Sequence, residues 1–61
     1  MKEEIYEFLK QWGDFSTARE IKSEFRNLSL AQIENICHQL IDEGKVRKWM
    51  HHRRWHYQFL S

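Results

Sequence analysis

Two helix-start signatures, twelve residues apart, constrain this chain more than anything else in it. Thr17 with Glu20, and Ser29 with Gln32, each have the S/T-x-x-E/Q form in which two side chains satisfy free backbone donors at a helix N-terminus. Leu28 precedes the second box and Ile33 lies four residues past its cap, the spacing of a hydrophobic staple. Beyond it, Ile33, Ile36, Cys37, Leu40 and Ile41 form an apolar stripe that Gly44 closes. The first box opens a shorter helix with Ala18, Ile21 and Phe25 on one face, ended by Asn27 in the left-handed conformation. Only about three residues then separate the two helices, so they must turn sharply, as in a helix-turn-helix.

The flanks follow two different periods. Upstream, Ile5, Phe8, Leu9 and Trp12 recur at i, i+3, i+4 and i+7, which predicts a helix over roughly residues 2–12 stopped by Gly13. Downstream, in KVRKWMHHRRWHYQFLS, Val46, Lys48 and Met50 alternate with Arg47, Trp49 and His51, and Trp55, Tyr57 and Phe59 alternate with Arg54, His56 and Gln58. That alternation predicts two strands. Pairing Val46 with Phe59 and Met50 with Trp55 puts Val46, Met50, Trp55, Tyr57 and Phe59 on an inner face closing the core. The outer face then carries Arg47, Trp49, His51, Arg54, His56 and Gln58, and a one-residue slip would bury this charged set. The turn within 51–54 contains neither Gly nor Asn, which predicts a four-residue loop on a type I turn rather than a tight primed turn.

Charge is distributed unevenly along these elements. Residues 1–44 carry five Lys and Arg against nine acids, 5 − 9 = −4, whereas residues 45–61 carry five against none, +5, within a formal net charge of +1. Such asymmetry points to a polyanionic partner for the basic end, or to an acidic surface on another protein. With 61 residues the chain has room for one small domain, 1–61, and little for a deep catalytic pocket beside its core. No Ser/His/Asp or paired-carboxylate arrangement stands out, so an enzyme is not expected. Cys37 is the single cysteine, and the acidic MKEEIYEFLK start does not have the form of a signal peptide. No apolar run approaches the ~20 residues of a membrane span. A cytoplasmic protein is expected, or a nucleoid or nuclear one if the host is eukaryotic, with no membrane partner and no cofactor.

Helix, short helix, capped helix, Gly-Lys and then a basic hairpin: across essentially its whole length the chain resembles the winged helix-turn-helix superfamily. STAREIKSEF stands for the second helix, SLAQIENICHQLIDEG for the recognition helix and KVRKW…RRWHYQF for the wing. The resemblance implies a small α+β fold of three helices and a C-terminal β-hairpin, with a short first strand near Phe15–Ser16. It also implies one of two functions. The first is a DNA-binding protein, a small transcriptional or mobile-element regulator, with helix 3 toward the major groove of double-stranded DNA and the wing on its backbone or minor groove. The alternative is a protein-interaction module whose basic wing docks on an acidic partner. Z-DNA-binding winged helices similarly pair an Asn and a Tyr on this helix with a Pro-rich wing; here Glu34 and His38 stand at those positions and proline is absent.

Site expectations follow from residue chemistry. The outward residues of helix 3 are Gln32, Glu34, Asn35, His38, Gln39 and Asp42, without a single Lys or Arg. Asn and Gln can pair bidentately with adenine, which selects Gln32, Asn35 and Gln39, while Ser29 and the helix N-terminus suit a phosphate. On the wing, Lys45, Arg47, Lys48, Arg53 and Arg54 supply cations, with Trp49, His51 and His52 among them. A homodimer or larger complex would strengthen binding by so small a module. A zinc reading of His51, His52, His56, Cys37 and His38 lacks the two matched ligand pairs of structural zinc sites, so no metal is expected.

Overall fold

The structure, a computed structural model, describes residues Met1–Leu60. Its elements are α1 (Lys2–Trp12), β1 (Ser16–Thr17), α2 (Ala18–Glu24), α3 (Leu30–Asp42), β2 (Val46–His51) and β3 (Arg54–Phe59). The strands form one antiparallel sheet in the order β1-β3-β2. This is a small α+β winged-helix fold, with β2 and β3 as the wing.

Local chemistry sets the helix ends. At α2, Glu20 N donates to the Thr17 hydroxyl at 3.3 Å while Thr17 N donates to the Glu20 carboxylate at 2.9 Å. At α3, Gln32 N donates to Ser29 Oγ at 3.1 Å and Ser29 N to Gln32 Oε1 at 2.8 Å. Each cap contributes about 1 kcal/mol. Gly44, at φ +76°, ends α3: its N–H bonds to the Ile41 carbonyl and that of Lys45 to the Leu40 carbonyl, the paired bonds of a Schellman motif. Helix α2 stops differently from expectation. Its C-cap is Phe25, at φ −123°, and Asn27 is not among the residues at positive φ. The turn is fastened instead by Lys22, whose ammonium donates to the Leu28 carbonyl at 2.7 Å.

Ile5, Leu9, Ile21, Leu28, Ile33, Cys37, Leu40, Val46 and Tyr57 form the buried core, drawn from all three helices and both long strands. Fully burying an aliphatic side chain of this kind contributes about 1.5–3 kcal/mol. Burial pushes the Cys37 thiol and the Tyr57 phenol each up to about 12. Pairing of Val46 with Phe59 and Met50 with Trp55 is as the alternation predicts, and one further pair, His51 with Arg54, extends the ladder.

Two corrections concern the wing. Met50 and Trp55 lie on the inner face, yet they are 50% and 45% exposed, because the wing projects past the helices that would cover them. The turn is tight: only His52 and Arg53 separate the strands, at φ 51° and 63°. Positive φ at both central residues is the signature of a type I′ turn, whose twist matches that of the flanking strands. Strand register prevailed over the residues' own preference.

Away from the wing tip, the Lys2 ammonium donates to Glu43, and Lys45 Nζ lies 3.4 Å from the same carboxylate. The hydrogen bond from Lys2 holds the Glu43 carboxyl below its usual range, and the same bond raises Lys2. The sign follows from linkage. The Glu43 contribution is present above the unfolded carboxylate value of about 4.3 and is lost as pH falls through the lower folded value. The Lys2 contribution is present below about 10.4 and is lost as pH rises through the higher folded value. Glu43→Gln should therefore lower the urea midpoint at pH 7 and leave it unchanged well below pH 4. An equal loss at both pH values would show that the pair contributes through packing alone.

Candidate nucleic-acid interface

The type I′ turn places Arg53 at the apex of the wing, followed by Arg54 at the start of β3. Both are exposed, and among the described residues neither has an ion-pair partner. Arg54 also lines an open groove of about 300 Å³ between the start of α2, the first half of α3 and the wing. Arg19, in the first turn of α2, lines the same groove and is likewise exposed and without an ion-pair partner. Sequence reasoning passed over Arg19. The available signal was its place two residues after the Thr17 cap, since the first helix of a helix-turn-helix crosses the DNA backbone.

The remaining expected cations are engaged elsewhere. Lys45 sits at the root of the wing, bound to Glu43 and 5.4 Å from the Tyr6 ring centroid, remote in chemistry from the apex. Lys48 bridges wing and helix: its ammonium is 2.9 Å from His38 Nε2 and 4.3 Å from the Trp55 ring centroid. The Arg47 guanidinium carbon lies 4.3 Å from the centroid of Trp49.

Trp49, expected among the partner-facing residues, is half-buried in a cluster on the outer face of the sheet. Phe15, from the α1–β1 connection, makes edge contacts with Trp49 at 5.3 Å, His51 at 5.8 Å and His56 at 5.0 Å. His56, read as an outer-face residue, is only 8% exposed beneath this ring. Its Nδ1 lies 2.9 Å from the Arg54 carbonyl, which only accepts, so this nitrogen donates and the imidazole orientation is fixed. His51 and His52 stack edge-on at 4.1 Å beside the apex. The cluster stiffens the sheet from behind, and Trp49 belongs to that support.

On α3, the capping box occupies the Ser29 hydroxyl and the Gln32 carbonyl oxygen, so both carry a structural duty at the position proposed for DNA contact. The side chains of Asn35 and Gln39, four residues apart on one exposed side, make no hydrogen bond among the described residues. Glu34 faces the groove shared with Arg19 and Arg54. Trp55, expected in the core, lines that groove as well.

No protein-family model matches the sequence, and no curated protein matches it. A solved structure described as giving structural insights into the DNA recognition and protein interaction domains of HOP2, and its homologous DNA pairing properties, is similar in fold. The TM-score is 0.85 over 97% of each chain, at 18% identity. That likeness supports the winged-helix arrangement described above.

Two substitutions test the supports of this surface. Replacing His52 by Asn and Arg53 by Gly supplies the residues that type I′ turns prefer, and should raise stability by about 1–2 kcal/mol in urea melts. An unchanged midpoint would show that the apex is unstrained. Phe15→Ala should cost about 1–2 kcal/mol, less than the ~3–5 kcal/mol of a fully buried Phe. A negligible loss would remove Phe15 as the prop of Trp49 and His56.

Proposed function

We propose that this chain is a DNA-binding winged-helix protein, a small transcriptional or mobile-element regulator, acting as a binding module and not as an enzyme. The observation that carries this reading is that Arg19 and Arg54, exposed and without an ion-pair partner among the described residues, line one groove with Leu30 and Glu34 of α3, and that Arg53, equally unpaired, stands next to Arg54 at the wing apex. Phosphates of duplex DNA satisfy such groups bidentately. In this reading Arg53 and Arg54 hold one stretch of backbone and Arg19 another, which brings Asn35 and Gln39 to base edges in the major groove. The similar solved structure is described in terms of the DNA recognition and protein interaction domains of HOP2, which supports a binding module of this fold. The protein would act where DNA is, in the cytoplasm or nucleoid, or in the nucleus of a eukaryotic host, and a homodimer or larger complex would raise its affinity.

A second reading rests on the acidic residues. The exposed face of α1 carries Glu3, Glu4 and Glu7, and α3 presents Glu34 and Asp42 without a Lys or Arg among its own residues. A protein-interaction module would use the basic wing on an acidic partner, or head-to-tail on the body of a second copy.

One titration separates the two. Binding of a labelled duplex, followed by anisotropy at several salt concentrations, should give a log–log slope near −0.9 per phosphate neutralised. Arg53→Ala with Arg54→Ala should make that slope shallower by about 1.8 and weaken all sequences alike, whereas Asn35→Ala or Gln39→Ala should change sequence preference. Absence of duplex binding at low salt would overturn the DNA reading and leave the interaction module.

A further inference from the structure

The groove between α2, α3 and the wing holds, beside the two arginines assigned above to the duplex backbone, an indole and a carboxylate that such backbone contact leaves unused. Its wall includes the indole of Trp55, with Ala18 and Leu30 as apolar neighbours, Arg19 and Arg54 as cations, and the carboxylate of Glu34. Neither guanidinium is ion-paired to Glu34, although all three groups line the same space. Trp55 is 45% exposed, and Lys48, which is not part of the groove lining, lies over its ring and restrains it.

We propose that this groove is a binding site for a single unpaired guanine nucleotide, taken from a bulge, gap or strand end in DNA. The proposal rests on the DNA-binding reading and names a ligand for part of that surface. Each component has a counterpart. An exposed aromatic ring flanked by cations is the device by which proteins hold unstacked bases, the base on the ring and the phosphates on the cations. A carboxylate has two acceptor oxygens and no donor. Among the DNA bases, guanine presents two adjacent donors, N1–H and the N2 amino group, on its Watson–Crick edge, which a carboxylate accepts with both oxygens. In a duplex those donors are bonded to cytosine and the base faces are stacked on their neighbours, so neither Trp55 nor Glu34 would be satisfied. An open groove of about 300 Å³ lies at the small end of ligand sites, as a single base requires. With two cations and one anion, the rim keeps the charge sign a nucleotide phosphate needs.

The test compares affinities of the whole chain for an intact duplex and for the same duplex carrying one bulged guanine, inosine or thymine; inosine lacks the N2 amino group. The guanine bulge should bind roughly 5- to 150-fold more tightly than the intact duplex, the range set by stacking one base on an aromatic ring. Trp55→Ala should bring that ratio toward one and Trp55→Phe should retain part of it, with circular dichroism confirming that both variants fold. Glu34→Ala should abolish the preference for guanine over inosine. A ratio near one in the unaltered protein, with the intact duplex bound, would overturn the nucleotide site and leave the DNA-binding reading standing. A bulge preference untouched by Trp55→Ala would also overturn it. Failure to bind either DNA would overturn both.

Discussion

Backbone pairing of Tyr57 with Ser16 on one side and Lys48 on the other joins the N-terminal half of the chain to the wing. Tyr57 lies on the central strand and is 1% exposed, and its ring meets the core residues supplied by the helices. Because β3 alone pairs with both other strands, it is the strand through which the segment before α2 is joined to the wing. The groove is a product of the same packing, since Tyr57 forms part of its wall while Trp55, two residues earlier on the same face, stands open in it. One strand thus carries the core in its second half and the candidate binding surface in its first.

Internal pairing sorts the basic residues into two kinds. Lys2 and Lys45 are committed to Glu43, Lys48 to His38 and Trp55, and Arg47 to the face of Trp49. These contacts fix geometry: they fasten α1 to the end of α3, tie the wing to α3 and stiffen the sheet. Arg19, Arg53 and Arg54, and outside the groove lining Lys10 and Arg26, have no ion-pair partner among the described residues and are left for solvent or a partner. Exposed ion pairs contribute little to stability in any case, so the distinction matters more for recognition than for folding.

What was legible in the sequence was what local chemistry decides. Two reciprocal caps announced α2 and α3, Gly13 and Gly44 marked helix ends, and alternation gave the strand register, because each signal acts over a few residues. Asn27 misled because a side-chain bond from Lys22 to the Leu28 carbonyl made a left-handed stop unnecessary. Exposure along the wing was not legible. Alternation assigns Met50 and Trp55 to the core face but does not say how far the core extends beneath it. Burial of His56 depends on Phe15, which is forty-one positions away in the chain, and no periodicity within β3 reports it. Arg19 became part of the site only when folding set the start of α2 beside the wing.

The two-residue turn that closes the hairpin also limits how this wing can vary in length. A strand advances about 3.3 Å per residue and alternates faces, so lengthening each arm by one residue would move the apex outward by that step and exchange the faces presented near it. Only additions of two residues per arm restore the side on which the His51–Arg54 pair stands. Reach and facing are therefore coupled, and wings of this construction come in discrete sizes separated by about 6.6 Å, twice that rise. An insertion confined to one arm would instead appear as a bulge, bending the ribbon and turning its tip away from α3.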